Sequence, residues 1–134
     1  MPSECDIEVR VRYVEADAMG YLHHSHYFVF MEMARTELLR ASGHRYRDCE
    51  EQGLFFVVVK AEIRFKAPAR YDDLLRVHVR IRRITRARIE HDYQFIRDGR
   101  VICEAATVLG CVNRQGRIQE IPESIRGRVP SAGS

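Results

Sequence analysis

The hydrophobic period changes twice along this chain, and those changes constrain the fold more than any other feature. Near the start, Ile7, Val9, Val11 and Tyr13 alternate with Glu8, Arg10 and Arg12. A period of two describes a strand with one buried face. From Tyr27 onward the apolar positions become Tyr27, Phe30, Met31, Ala34, Leu38 and Ala41, which form one stripe of a helix. Ser25 suits the N-cap, and Gly43 suits the residue that stops the helix. The spacing predicts one helix over roughly residues 26–42, about four turns at 3.6 residues per turn. "YRDCEEQG" adds a short helical turn ended by Gly53.

Period two then returns. "FFVVVKAEIRFK" is apolar and β-branched, with Pro68 just beyond it. Val77, Val79 and Ile81 alternate with Arg76, His78, Arg80 and Arg82; Ile89, His91, Tyr93 and Phe95 alternate with Glu90, Asp92 and Gln94. Asp98-Gly99 marks a two-residue hairpin turn. "VICEAATVLGCV" is a further strand, and "NRQGR" turns the chain again. The sum is an α+β chain: one long central helix on an antiparallel sheet of five or six strands. Arg76, Arg80 and Arg82 fall on the sheet face away from the helix. The 134 residues suit a single domain, 1–134. Its core spans about 6–122, and the polar tail "PESIRGRVPSAGS" is expected to be flexible.

Composition narrows the function classes. No run approaches the roughly 18 apolar residues of a membrane span, and "MPSECDIEVR" lacks the pattern of a secretory signal. Cys5, Cys49, Cys103 and Cys111 fit neither a zinc motif nor a disulfide framework. Free thiols in a reducing cytosol follow, and with them a cytoplasmic location. The net charge of +3 is small, which argues against a nucleic-acid partner even with the arginine ladder from Arg76 to Arg88. Lys60 and Lys66 are the only lysines; arginine suits bidentate phosphate contacts.

The segment between the first strand and the helix carries the chemistry. His23, His24 and His26 crowd it, yet no HExxH and no cysteine partner accompanies them, so no metal is expected. Asp17 precedes a turn at Gly20, and a helix start follows. A helix start offers unpaired N–H groups and the positive end of the dipole. Those groups can receive an oxyanion, and the carboxylate can act as base or nucleophile. The same residues also read as a charged turn placed favourably at the dipole.

"VRYVEADAMGYLHHSHYFVFMEMARTELLR" resembles the hotdog-fold acyl-CoA thioesterases of the 4-hydroxybenzoyl-CoA thioesterase-like group. The matching positions are Arg12, Tyr13, Glu15, Asp17, Gly20, His24, Tyr27, Glu32, Arg35 and Glu37, and "KAPARYDDLL" and "RDGRVICEA" extend the likeness. The resemblance implies a long helix wrapped by an antiparallel sheet, and dimers or tetramers with sites where subunits meet. It implies hydrolysis of acyl-CoA, with coenzyme A as part of the substrate and no separate cofactor. Asp17 takes the place of the family's acid, His24 supplies the backbone N–H for the thioester carbonyl, and Tyr27 shapes the site. Gly20, Leu22, His26 and Phe56 are the candidate substrate contacts, with Arg86 and Arg88 toward the phosphates of coenzyme A. His26 replaces a usual asparagine and Ala16 a usual threonine or cysteine. The alternatives are a thioesterase acting on acyl-carrier-protein substrates and a hotdog protein that binds acyl-CoA without hydrolysing it. Glu15 is expected to pair with an arginine, Arg12 or Arg35.

Overall fold

A computed structural model describes residues 3–127. Five strands form one antiparallel sheet: β1 (Glu4–Arg10), β2 (Phe55–Phe65), β3 (Leu74–Ile84), β4 (Arg88–Arg97) and β5 (Arg100–Val112), in the order β1-β3-β4-β5-β2. Three helices accompany it: α1 (His24–Ala41), α2 (Tyr46–Glu51) and the short α3 (Glu123–Arg126). The Asp98-Gly99 turn joins β4 to β5 with both residues at positive φ, 50° and 76°, as a tight hairpin turn requires.

The helical stripe does what its spacing predicts. Tyr27, Phe30, Met31, Ala34 and Leu38 are buried against Val9, Val11, Leu75, Val77, Val79 and Phe95. Burying a side chain such as Phe30 or Leu38 contributes about 1.5–3 kcal/mol. Ala41, at the end of the stripe, is exposed. Gly43 follows the helix with φ +86°, the left-handed conformation of a C′ glycine. The N-cap is His23 rather than Ser25: its Nδ1 accepts the Ser25 N–H at 3.2 Å. An imidazole nitrogen serves here in place of a hydroxyl.

The first strand is shorter than its alternation. It ends at Arg10, and Tyr13 lies in a single 3₁₀ turn, Tyr13–Glu15, with its ring exposed. The tail also departs from expectation. Ile121 and Ile125 are buried beneath α2 with Leu39, Cys49, Ile89 and Leu109, so α3 is docked; residues 128–134 lie outside the described residues. The four cysteines are free thiols, as their spacing implies.

On the outer sheet face the arginine ladder is matched by acids. Arg76 pairs with Asp6 at 3.5 Å, Arg80 with Asp92 at 3.1 Å, and Arg82 with Glu90 at 2.8 Å and Asp92 at 3.1 Å. Each exposed pair contributes little to stability. Together they make a charge-balanced surface rather than a cationic stripe. Among the described residues no helix is long and apolar enough to cross a membrane.

Candidate active site

The loop from Val11 to His23 is clipped to its surroundings by the backbone. Val11 N–H donates to Asp73 O and Asp72 N–H to Val11 O, both at 2.9 Å. Leu22 N–H donates to Ala69 O at 2.8 Å, and His23 N–H to Glu15 O at 2.9 Å. Ala16 and Leu22 bridge as a strand pair. The loop therefore returns on itself, with Asp17 opposite Tyr21 at its tip and Glu15 opposite His23, the residue before α1.

Glu15 anchors that loop. It is 2% exposed. Its Oε1 accepts the Arg12 N–H at 2.7 Å, and Oε2 accepts Arg12 Nε and Nη2 at 3.1 and 2.9 Å. Arg12 is thus the arginine partner. Burial pushes the Glu15 carboxyl up, but the Arg12 hydrogen bonds and charge, with a smaller contribution from His26, hold it below the ordinary carboxylate range. A depressed folded-state pKa contributes stability that is present above the unfolded value, about 4.3, and is lost as pH falls through the folded value. Urea midpoints of the parent should therefore fall on acidification through that window, and Glu15→Gln should flatten the fall. An unchanged acid slope in Glu15→Gln would remove Glu15 from this role.

Asp17 is exposed, and its carboxylate is held on one side only. Oδ1 accepts the N–H groups of Met19 at 2.8 Å and Tyr21 at 3.0 Å. The backbone closes the same turn, with Asp17 N–H to Tyr21 O at 2.7 Å and Gly20 N–H to Asp17 O at 2.9 Å. Gly20 sits at φ +79°, where a side chain would be strained. Among the described residues Oδ2 has no hydrogen-bond partner, and neither has the His24 N–H, the first of α1. A positioned carboxylate with one oxygen free can accept a proton, and an unpaired helix-start N–H can receive an oxyanion.

The histidines divide their tasks. His23 caps the helix and its ring stacks on His24, centroids 4.2 Å apart. His26 is half-buried, edge-on to His23 at 6.5 Å. Among the described residues no group of three or more His, Cys, Asp or Glu side chains converges as metal ligands would.

Other candidate residues lie elsewhere. Tyr27 is 2% exposed, with its ring against Phe65 and Phe95 at 5.0 and 5.1 Å; it supports the helix start from within the core. Leu22 is likewise core rather than pocket wall. Arg86 and Arg88 stand at the β3–β4 turn, the far end of the sheet from the Asp17 loop. Eleven residues of β3 separate the two ends, about 34 Å at 3.4 Å per residue. Arg86 is paired with Glu120, and Arg88 is exposed. Within one chain the structure does not bring these arginines to Asp17.

Phe56 is half-buried in a groove of about 440 Å³ between α1, α2 and the β2–β5 sheet edge, shared with Glu32, Arg35, Tyr46 and Val58. Arg35 Nη1 donates to Tyr93 Oη at 3.5 Å, and that hydroxyl lies 2.7 Å from Thr107 Oγ1. His91, opposite Thr107 in the sheet, is 2% exposed, and its Nδ1 has no partner. Burial and the Arg35 charge push its pKa down to about 3, so the ring is neutral. The only hint of this polar group in the sequence is a histidine at an inward position of an otherwise apolar alternation.

Residues 7–129 match the Thioesterase-like superfamily. The acyl-CoA thioesterase YbgC of Haemophilus influenzae is 35% identical over 106 residues, 78% of each chain. A hypothetical protein from Aquifex aeolicus superposes with a TM-score of 0.86 at 32% identity, over 90% of this chain and 95% of that one. A gentisyl-coenzyme A thioesterase superposes at 0.85 with 25% identity, over 91% and 99%. With helix, sheet order and the Asp17 loop all in place, the chain belongs to the thioesterase-like superfamily of hotdog proteins.

Proposed function

We propose that this protein hydrolyses acyl-CoA thioesters at the Asp17 loop. The observation that carries the reading is the half-tethered carboxylate: Oδ1 is fixed by Met19 and Tyr21, and Oδ2 is free, on the loop that leads into the open N–H of His24. In this mechanism Oδ2 takes a proton from water as the water oxygen attacks the thioester carbon. The carbonyl oxygen gains negative charge and is received by the His24 N–H at the positive end of α1. The C–S bond then breaks, and coenzyme A leaves as a thiolate that is protonated afterwards. A thiolate leaves readily, so a carboxylate and fixed donors suffice and no metal or further cofactor is invoked. The relatives named as acyl-CoA thioesterases support the class of reaction. The test is release of free thiol over a panel of aliphatic and aryl acyl-CoAs. Binding without thiol release would leave the non-hydrolytic reading, and activity confined to carrier-protein thioesters would leave the other.

The functional unit is proposed to be a homo-oligomer in the cytoplasm. β2 is an edge of the sheet, and Val57, Val58, Val59 and Phe65 along it are 42–52% exposed. An apolar, unpaired edge strand calls for a partner. A second copy would also supply cationic residues that one chain holds far from its own Asp17. Light scattering at micromolar concentration should give a mass of two or four chains; a monomer would count against a site shared between copies.

A further inference from the structure

We propose that the groove between α1, α2 and β2, which the second copy proposed above would flank along the β2 edge, receives the far end of the acyl group, and that this end is a carboxylate. The inference rests on the reading of Asp17 and the His24 N–H as the thioester site. Arg35 carries it. Its side chain is half-buried, and among the described residues no carboxylate lies within ion-pair distance of it; Tyr93 Oη at 3.5 Å is its hydrogen-bond partner. Glu32 and Glu50 border the same groove, yet both are exposed to water. A guanidinium partly withdrawn from solvent is stabilised by a counter-charge. The Tyr93 hydroxyl satisfies one N–H, and Glu32, one turn away on the same flank, stays beyond ion-pair distance, so the rest of the guanidinium is open to a ligand. His91, behind the groove and not among its lining residues, is buried with Nδ1 unpartnered, so it supplies no counter-charge to Arg35.

The reach is set by the helix. His24, Phe28, Glu32 and Arg35 recur at intervals of four, four and three residues, so they share one flank of α1. Phe28 is 44% exposed on that flank, and Phe56 and Val58 border the groove from β2. The Arg35 Cα stands about 16 Å from His24 along the axis, at 1.5 Å of rise per residue. Its side chain leans back toward the helix start. A thioester at His24 and a carboxylate at Arg35 are thus separated by a medium-length chain whose methylenes lie against Phe28. The substrate class is the CoA ester of a medium-chain dicarboxylic acid.

The test compares suberyl-CoA with octanoyl-CoA, which have the same carbon chain with and without the terminal carboxylate. Thiol release is measured for the parent, Arg35→Gln and Arg35→Lys. The parent should prefer suberyl-CoA. Arg35→Gln should lower kcat/KM for suberyl-CoA roughly 10- to 100-fold, as expected for loss of a charged hydrogen-bonded pair, mainly through KM. Octanoyl-CoA turnover should be unchanged, which also shows that the variant folds. Arg35→Lys should recover part of the loss, since charge returns without the planar fork. Equal or better use of octanoyl-CoA by the parent, or an equal loss on both esters in Arg35→Gln, overturns the proposal. If neither ester is cleaved while another acyl-CoA or aryl-CoA of the panel is, the dicarboxylate class is overturned and the thioesterase reading stands; if no acyl-CoA is cleaved, that reading fails separately. Calorimetric binding then decides: a suberyl-CoA preference abolished by Arg35→Gln supports the subsite, and equal affinities overturn it.

Discussion

Asp17→Asn should leave the fold intact and lower thiol release by about 10²–10⁴-fold, the range of a lost general base. The geometry makes this variant informative. Asparagine keeps a side-chain oxygen to accept the N–H groups of Met19 and Tyr21, which Asp17 Oδ1 accepts at 2.8 and 3.0 Å. The turn closed by Gly20 therefore survives, and acyl-CoA binding should survive with it. What disappears is the second oxygen's capacity to take a proton. His24→Ala is the companion variant: it removes an imidazole and keeps the backbone N–H. Turnover close to the parent would assign the contribution to the N–H, and a large loss would bring the ring itself into the reaction. An Asp17→Asn protein as fast as the parent would dismiss the carboxylate from the chemistry. The loop would then be a charged turn at a helix start.

How far the sequence carries can be judged residue by residue. The helical stripe from Tyr27 to Leu38 and the alternation of β3, β4 and β5 were legible because each repeats one period over many residues. The Asp98-Gly99 hairpin was legible because few dipeptides tolerate two positive φ angles in succession. Caps were less so. His23 takes the position that hydroxyl chemistry assigns to Ser25, and a propensity rule cannot tell which of two adjacent polar side chains will turn inward. Tyr13 continues the β1 alternation in sequence but leaves the strand in space, because Glu15 folds back on Arg12 and forces a 3₁₀ turn. The tail is polar in composition, yet Ile125, with Ile121 just before it, packs into the core, and the Ile121 N–H donates to Arg86 O at 2.7 Å.

The site divides the same way. Asp17, Gly20 and His24 are close in sequence, and local hydrogen bonds fold the turn from Asp17 to Gly20 just ahead of the helix start, so a motif could find them. The family resemblance implies that Arg86 and Arg88 serve the same substrate, and the length of β3 sets them apart from Asp17 within one chain. The Arg35, His91, Tyr93 and Thr107 group joins a helix to two strands 56 to 72 positions later in the chain. No local pattern encodes such a meeting. It becomes visible only once the register of β4 and β5 places His91 opposite Thr107.

Tyr27 separates a residue that touches substrate from one that holds the helix in place. Tyr27→Ala should destabilise the protein by about 3–5 kcal/mol, the range for removing a large buried aromatic ring. The ring is 2% exposed and lies edge-on to Phe65 and Phe95, so truncation opens a cavity between α1 and the sheet three residues from His24. Activity should fall with it, because the first turn of α1 loses its support. Tyr27→Phe keeps the ring and both edge-on contacts while deleting the hydroxyl. Burial pushes that hydroxyl's pKa up, so at neutral pH it is a protonated group inside the core and not a base. Tyr27→Phe should therefore keep the parent's kcat, with stability changed only by the loss of one hydroxyl. The two variants separate packing from chemistry: chemical denaturation reads the first and thiol release the second. A Tyr27→Phe protein that folds like the parent but loses turnover to the extent of Asp17→Asn would place the hydroxyl in the reaction, and the core assignment would be wrong.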